Sequence, residues 1–421
     1  MTTLFTNIQF LVSARETYPM LRGDALATLP IIEQAYLLIE NDLIAGYGLM
    51  ADLDDAVMHK PAITINTKGA TVMPCWVDSH SHIVYAGSRE NEFLAKLKGA
   101  SYAEIAANGG GILSSATLLA STSEENLLND AHRRLMEVIA QGTGALEIKS
   151  GYGLSVAGEL KMLRVIKKLK AISPIPIKAT FLGAHAIPQN FKHNKEGYVS
   201  LIVNEMLPAI ARENLADYVD VFCEEGFFTA ADTNMICKAA LQYNLQPKLH
   251  VNQLNSIGGI SVGVENNALS LDHLETLTTF DIEQLGKFKG CCTLLPSAAF
   301  FLRMPPPEAR KLISAGAAIT LASDYNPGSS PGGNMNFVTT LGCIQLKMLP
   351  EEVINAATIN GAYAMGLQHE LGSITVGKKA NLIFTHPVPN LAYLFYSFGT
   401  SHIQKVMING DWIPAPTTDF L

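Results

Sequence analysis

The sequence predicts an α/β fold in which a (β/α)8 barrel is joined to a small β-sandwich domain built from both chain ends. In the middle of the chain, eight short apolar runs alternate with amphipathic stretches. This alternation is typical of repeated βα units that close into a parallel barrel. At both ends of the chain, β-type runs alternate with turn signals and show little helical periodicity.

The two chain ends are expected to pair into one sheet domain because they share the same pattern. Residues 36–46 and 62–66 are typical of the first end, and residues 372–384 and 403–413 are typical of the second. Their β-branched and aromatic residues favour strands. We therefore expect residues 1–70 and 371–421 to form the sandwich domain and residues 71–370 to form the barrel.

The eight apolar runs are the expected barrel strands, and the amphipathic stretches between them are the expected helices. The runs are residues 71–77, 144–148, 177–182, 218–223, 247–251, 268–271, 292–295 and 317–322. The helices include residues 124–140, 158–170, 197–212, 230–243 and 307–315. Because parallel strands end at one rim of a barrel, residues that follow these runs should lie close together.

Composition narrows the function to small-molecule chemistry. A chain of 421 residues with 48% hydrophobic content can bury one large core and a smaller one. Its net charge of -8 and its lack of a basic run argue against nucleic-acid binding. The six cysteines include no C-x-x-C pair, which fits a reducing cytoplasm. No signal-peptide pattern and no apolar run of about 18 residues is present, so neither secretion nor membrane insertion is expected.

Four histidines and one aspartate follow the predicted strands. His80 and His82 end the first strand, His250 the fifth, His273 the sixth and Asp324 the eighth. On an extended chain, two residues that are two positions apart point to the same side, so the first two histidines can bind one ion. Since barrel enzymes carry out their chemistry at this rim, the sequence predicts a divalent-metal site in a metal-dependent hydrolase.

Each of these residues has an ordinary structural explanation when taken alone. H-x-H pairs occur often by chance, His250 and His273 are compatible with buried histidines, and Asp324 with a turn residue. Their shared placement at one rim favours the metal site. A bound ion lowers the pKa of its water, Asp324 can take and pass on a proton, and His273 can assist proton transfer or bind a developing oxyanion.

The order of these residues along strands one, five, six and eight resembles that of the amidohydrolase superfamily. The resemblance implies a barrel of the amidohydrolase type and four metal ligands, which are His80, His82, His250 and Asp324. It also implies that His273 lies beside the metal-bound water. Superfamily members are often dimers, but no stretch of the sequence identifies an interface, so a homodimer is left open.

The number and type of metal ions follow partly from the same resemblance. Binuclear members carry a carbamylated lysine at the end of strand four, where this chain reads Phe222-Cys223-Glu224-Glu225. One metal ion per subunit is therefore favoured, and a glutamate bridge to a second ion is left open. Three histidines and an aspartate suit zinc and iron equally well.

Five longer motifs lie in order along the chain, at residues 86–93, 109–113, 147–153, 181–185 and 324–331. They resemble one family within the superfamily, and the resemblance covers nearly the whole chain. Members of that family hydrolyse a ring C–N bond of 4-imidazolone-5-propanoate, which yields N-formimidoyl-L-glutamate in histidine degradation. The expected substrate is therefore a small molecule with a carboxylate arm.

The family resemblance also implies the substrate-binding residues, which are Arg89, Tyr152, His185, Gln253, Asn326, Gly328 and Ser329. A guanidinium at Arg89 suits a bidentate carboxylate clamp, although a salt bridge with Glu90 or Glu92 is equally compatible with the sequence. Tyr152 lies between two glycines that let a ligand approach the backbone, and His185 ends strand three at the same rim. An ordinary loop tyrosine and a buried histidine are the alternatives.

The remaining positions combine recognition with a part in catalysis. Asn326, Gly328 and Ser329 offer an amide, a backbone N–H and a hydroxyl, although Asn-Pro-Gly is also a plain turn. Gln253 can orient water or substrate but cannot accept a proton, so proton transfer is expected to fall to Asp324 and His273.

Two other functions and one loop complete the expectations. A nucleobase deaminase would share the metal ligands, but a carboxylate clamp at Arg89 would be useless to it. A catalytically inactive scaffold would be expected to lack ligands, and here all are present. The run Gly109-Gly110-Gly111 lacks the lysine of a phosphate loop, so we expect a mobile loop that covers the site.

Overall fold

Two sheets of eight strands each form the framework of this computed structural model, which describes residues 1–54, 61–99 and 110–414. The strands are β1 (Thr2–Val12), β2 (Ile31–Glu40), β3 (Leu43–Leu49), β4 (Ile63–Asn66), β5 (Thr71–Pro74), β6 (Trp76–Asp78), β7 (Thr143–Lys149), β8 (Ile177–Ala184), β9 (Tyr218–Cys223), β10 (Gln246–Val251), β11 (Ser270–His273), β12 (Cys291–Leu294), β13 (Ile319–Leu321), β14 (Leu382–Thr385), β15 (Ile403–Ile408) and β16 (Asp411–Trp412).

Helices connect the strands of the barrel and cover its outside. Within the described residues the α-helices are α1 (Glu90–Leu97), α2 (Ile112–Ser121), α3 (Glu124–Ala140), α4 (Val156–Ile172), α5 (Lys195–Leu201), α6 (Leu207–Glu213), α7 (Ala230–Leu241), α8 (Gly259–Glu265), α9 (Thr279–Lys287), α10 (Pro296–Leu302), α11 (Ala309–Ser314), α12 (Met335–Ile344), α13 (Pro350–Ala357), α14 (Ile359–Ala364) and α15 (Tyr393–Tyr396). A π-helical segment, Ile202–Met206, joins α5 to α6. Side-chain caps begin several of these helices: Ser123 and Ser155 each accept a backbone N–H, and Thr229 and Thr278 form capping boxes.

The barrel sheet contains β6 to β13 in sequence order, and all its strands are parallel. Its first and last strands meet beyond their C-terminal ends, where Ser81 bridges Tyr325 and the Asp324 N–H donates to the His80 carbonyl over 3.0 Å. The predicted (β/α)8 barrel is therefore confirmed. Two of the residues in these closing contacts, His80 and Asp324, are among the metal ligands expected from the sequence.

The first predicted strand, residues 71–77, is wrong as a single barrel strand. The Cys75 N–H donates to the Asn381 carbonyl, whereas the Trp76 N–H donates to the Gly142 carbonyl, both over 2.9 Å. The run thus changes sheets at this point: β5 belongs to the terminal sheet and only β6 to the barrel. A continuous apolar run cannot reveal this change because both halves are buried.

The terminal sheet is mixed and draws strands from both chain ends, as expected. Its strand order is β16-β15-β14-β5-β1-β2-β3, and β4 also pairs with β1. The Phe5 ring of β1 lies 5.9 Å from the Trp412 ring of β16, although four strand spacings in a flat sheet would separate them by about 19 Å. The sheet therefore folds over on itself around its own core, as in a small sandwich.

Other expectations are tested only in part. No helix within the described ranges is long and apolar enough to cross a membrane. All six cysteines are free thiols, and five of them are buried. The domain boundaries at residues 70 and 370, the cytoplasmic location and the homodimer stay predictions.

Candidate metal and substrate site

Three imidazoles and one carboxylate converge inside the C-terminal rim of the barrel. The Nε2 atoms of His80 and His82 are 3.3 Å apart, and they lie 3.5 and 3.4 Å from Asp324 Oδ1. His250 joins the two histidines in a buried group whose ligand atoms all lie within 4.8 Å of one another. Ligands at 2.0–2.1 Å from a tetrahedral ion are about 3.4 Å apart, so these residues fit a metal ion.

Two buried carboxylates orient two of these imidazoles. Asp272 Oδ2 accepts from His80 Nδ1 and Asp220 Oδ2 accepts from His250 Nδ1, both over 2.7 Å. A proton held on Nδ1 leaves the Nε2 lone pair free to face an ion. His82 differs, because its buried Nδ1 has no partner within the described residues. Neither aspartate was among the residues expected at the site.

A buried lysine connects the two orienting carboxylates. Lys149 Nζ lies 2.8 Å from Asp220 Oδ2, 2.7 Å from Glu147 Oε1 and 3.6 Å from Asp272 Oδ2. On the other side of Glu147, Lys248 Nζ lies 2.8 Å from Oε2. Burial by itself lowers the pKa of Lys149, but the three carboxylates outweigh it and hold this pKa above its usual value. The ammonium group therefore stays charged beneath the metal site.

His273 lies beside the ligand group without being part of it. Its ring centroid is 5.2 Å from that of His250 and 5.8 Å from that of His80. Its Nδ1 lies 3.3 Å from Glu275 Oε1, which leaves Nε2 available to the site. Its backbone has a φ of 85°, in the left-handed region that non-glycine residues seldom adopt, and such strain is often found at functional sites.

A cavity of about 480 Å³ opens directly onto this cluster. It is lined by almost every site residue expected from the sequence, namely His82, Arg89, Tyr152, His185, His250, Gln253, His273, Asp324, Asn326, Gly328 and Ser329. His80 is the exception, since it is fully buried behind the cavity wall. The remaining walls include the apolar side chains of Ile112, Phe222, Phe227, Leu302 and Met304.

Arg89 is both salt-bridged and open to a ligand. Its Nη2 donates to Glu92 Oε2 over 2.6 Å, whereas Glu90 instead accepts from Ser88. The buried Nε has no partner in the described part of the chain, and Nη1 packs so closely on Gly328 that a Cβ there would lie 2.2 Å from it. The guanidinium therefore keeps donors free for a carboxylate.

Tyr152 and His185 form a neighbouring wall. The His185 Nδ1 lies 3.0 Å from the Gly151 carbonyl and donates to it, so its Nε2 is an acceptor. Burial and the nearby His82 lower the His185 pKa to about 3, so the ring is neutral and better suited to accept a hydrogen bond than to donate one. Burial raises the pKa of Tyr152, whose hydroxyl makes no hydrogen bond within the described residues and can donate to a ligand.

The loop after Asp324 is held by its own hydrogen bonds. Asn326 Oδ1 accepts from the N–H groups of Gly328 and Ser329, both over 2.8 Å, and its Nδ2 donates to the Asp324 carbonyl and to Ser329 Oγ. This amide has no remaining donor or acceptor, so it can contact a substrate only by giving up a bond of its own turn. Ser329 Oγ lies 3.2 Å from Asp324 Oδ2 and faces the cavity.

Two other stretches singled out in the sequence, Glu224-Glu225 and the end of the glycine run at Gly111, are not part of the metal-ligand group. Glu224 accepts from the N–H groups of Leu254 and Asn255, and Glu225 is exposed, so neither carboxylate faces the ligand group. Of the expected covering loop, Gly109 lies outside the described residues. The Gly111 N–H donates to Glu92 Oε1 over 2.8 Å, which ties this end of the motif to the salt bridge of Arg89.

Sequence comparisons place the chain in a family. The sequence profile of the amidohydrolase family matches residues 71–413. The chain therefore belongs to the amidohydrolase family. The imidazolonepropionase of Flavobacterium johnsoniae is 54% identical over 98% of this chain and 100% of its own length, and that of Christiangramia forsetii is 51% identical over the same shares. Within the amidohydrolases, the chain thus belongs with the imidazolonepropionases.

Solved structures agree on the fold. A zinc-bound adenosine deaminase of Xanthomonas campestris superposes with a TM-score of 0.70 at 17% identity, covering 97% of this chain and 92% of its own. The guanine deaminase of E. coli gives a TM-score of 0.71 at 14% identity, covering 98% and 99%. The family and the ligand group together support a metal cofactor.

Proposed function

We propose that this chain hydrolyses the ring C–N bond of 4-imidazolone-5-propanoate to form N-formimidoyl-L-glutamate. The observation that carries the proposal is the placement of Arg89, whose Nε has no partner within the described residues, in the same cavity as the metal-ligand group. A guanidinium is suited to bind the propanoate arm of this substrate, whereas a neutral nucleobase carries no carboxylate for it to bind. The identity of 51–54% to imidazolonepropionases over nearly the whole chain supports the same assignment.

We propose that one zinc or iron ion is held by His80, His82, His250 and Asp324. The positions of Glu224 and Glu225 support a single ion, because neither carboxylate faces the ligand group. When bound, such an ion supplies an activated water and polarises the carbonyl that is attacked.

The side chains of the cavity would then position the substrate. Arg89 binds the propanoate carboxylate, the Tyr152 hydroxyl donates to the substrate, and His185 Nε2 accepts from a ring N–H. Gln253 orients the substrate or the attacking water. Ile112, Leu302 and Met304 exclude bulk water from the reacting atoms.

Proton transfer would fall to Asp324 and His273. Oδ1 of Asp324 faces the two histidine Nε2 atoms, so Oδ2, near the Ser329 hydroxyl, is the oxygen that can take a proton from water and pass it to the leaving nitrogen. His273 Nε2 lies at the same rim and can bind the developing oxyanion or assist this transfer.

The proposal is tested by the ultraviolet disappearance of 4-imidazolone-5-propanoate with metal-loaded protein, metal-stripped protein and an Arg89→Ala variant. Loss of a charged clamp in a half-buried site should cost about 2–4 kcal/mol, or roughly 30- to 1000-fold in kcat/KM. Arg133→Ala is the matched control, because Arg133 is exposed on α3 and does not line the cavity. If metal-loaded protein leaves the substrate untouched, the proposal is wrong, and deamination of nucleobases becomes the next assay.

A further inference from the structure

Helix α1 presents three charged side chains along one side. Arg89 at its N-cap, Glu92 and Lys96 are spaced i, i+3 and i+7, a spacing that places them on the same helix face. Arg89 and Lys96 both line the cavity, and Glu92 lies beside them because it binds Arg89. This face of α1 is therefore the cationic wall of the cavity.

Among the described residues of this wall, two cations, Arg89 and Lys96, face one carboxylate, Glu92. Glu92 neutralises Arg89 through a contact of 2.6 Å, and its other oxygen accepts the Gly111 N–H. Lys96 forms no ion pair and no side-chain hydrogen bond with any residue in the ranges 1–54, 61–99 and 110–414. Among the described residues, Glu92 therefore pairs directly with Arg89 and attracts Lys96 only without a direct contact.

We propose that Lys96 is a second cation for the carboxylate arm of the substrate and determines, together with Arg89, the preference for an anionic ligand. This inference rests on the proposed function and deepens it. Arg89 supplies planar, directional donors, whereas the ammonium group supplies a net charge that its paired neighbour lacks. Ligands of the class that this wall selects are small heterocycles with one short carboxylate arm.

The surroundings of Lys96 favour such an anion. The side chain is only partly exposed, and partial burial together with repulsion by Arg89 outweighs the attraction by Glu92 and lowers the pKa of Lys96. A carboxylate placed between the two cations would relieve this repulsion. Ile112, Leu302 and Met304, which line the same cavity, are apolar, so Glu92 is the anion of this wall with which a substrate carboxylate would compete.

The test compares Lys96→Met, which keeps most of the length but removes the charge, with Lys96→Arg, which restores a charge. Lys98→Met is the matched control, because Lys98 follows the same helix, is exposed and does not line the cavity. For 4-imidazolone-5-propanoate, Lys96→Met should raise KM about tenfold with kcat within about twofold, and Lys96→Arg should restore most of the loss. Lys98→Met should match the parent protein.

A binding experiment separates this inference from the proposed function. Dissociation constants of imidazole-4-propanoate and of 4-ethylimidazole, which lacks the carboxylate, are measured by calorimetry on the metal-loaded proteins, so no turnover is needed. Lys96→Met should weaken the affinity for the acid about tenfold and leave the affinity for 4-ethylimidazole unchanged. Equal weakening of both ligands would show a structural role, and no weakening of either would overturn the inference. A parent protein that binds the acid but does not hydrolyse the imidazolone would refute the proposed function alone.

Discussion

Asp220→Asn is the change that most directly tests how the metal ligands are oriented. The Asp220 carboxylate accepts three hydrogen bonds: from His250 Nδ1 over 2.7 Å, from the His250 backbone N–H over 3.0 Å and from Lys149 Nζ over 2.8 Å. Asparagine has the same shape but only one acceptor oxygen. Its NH2 group must therefore face either the backbone N–H or both the imidazole and the ammonium group.

The expected magnitude follows from these contacts. A hydrogen bond to a charged group contributes about 1.5–3 kcal/mol, and Lys149 would also lose one of its buried carboxylates. We expect the free energy of unfolding of the metal-free protein to fall by about 2–4 kcal/mol. Because the His250 ring loses its orientation, metal affinity should fall about 10- to 100-fold.

Both quantities can be measured without turnover. Competition with a coloured chelator gives the metal dissociation constant, and chemical denaturation of the metal-free protein gives the unfolding free energy. Asp217→Asn serves as the control, because Asp217 is only partly buried and lies outside the barrel interior, where its partners include Lys170. An Asp220→Asn protein that binds metal within about twofold of the parent would refute the view that this carboxylate orients His250.

Two further changes probe the substrate and the metal. Gly328→Ala places a Cβ 2.2 Å from Arg89 Nη1, so the guanidinium must move; KM should rise several-fold with unchanged metal content, and unaltered kinetics would contradict the close packing. In the metal-free protein, burial and Lys149 lower the His80 pKa, but Asp272 and Asp324 outweigh them and raise it to about 9. Protonated His80 thus stabilises the metal-free fold fully below pH 6.5, and this contribution is lost as the pH rises through about 9. Metal binding must displace this proton, so metal affinity should rise about tenfold per pH unit up to pH 9. Calorimetry in buffers of different ionisation enthalpy would detect the released proton. A metal affinity that does not change with pH would argue against this displacement.

Much of the fold could be predicted because the barrel repeats a simple pattern. The expected strand at residues 218–223 and the helix at residues 124–140 coincide with β9 and α3. Each element ends at the residue where its apolar pattern ends, and this end can be read from the local sequence alone. The change of sheet after Cys75 could not be predicted, since it depends on carbonyl partners at Asn381 and Gly142, far along the chain.

The sequence predicted that the expected site residues lie at one rim of the barrel, whereas it did not predict the carboxylates that support them; the roles of the site residues stay predictions. The expected topology alone predicts that residues following the barrel strands lie close together, and in the structure most of them line one cavity. The pairs Asp220–His250 and Asp272–His80 escaped notice because each joins different strands. A signal was nonetheless present: an aspartate within an otherwise apolar barrel strand must have a buried partner. That Lys96 lines the cavity could not be predicted, because one lysine on an amphipathic helix is typical of an ordinary exposed surface.

The contacts that close the barrel lie at the proposed metal site, so a bound ion would also stabilise the closure. The first and last barrel strands are joined at the rim by the bond between His80 and Asp324 and by the bridge between Ser81 and Tyr325. An ion bound by His80, His82 and Asp324 would also connect the first and last strands of the barrel, which are far apart in the chain. Metal loading would then stabilise the native barrel by cross-linking these two strands, and removal of the metal would weaken the connection between them.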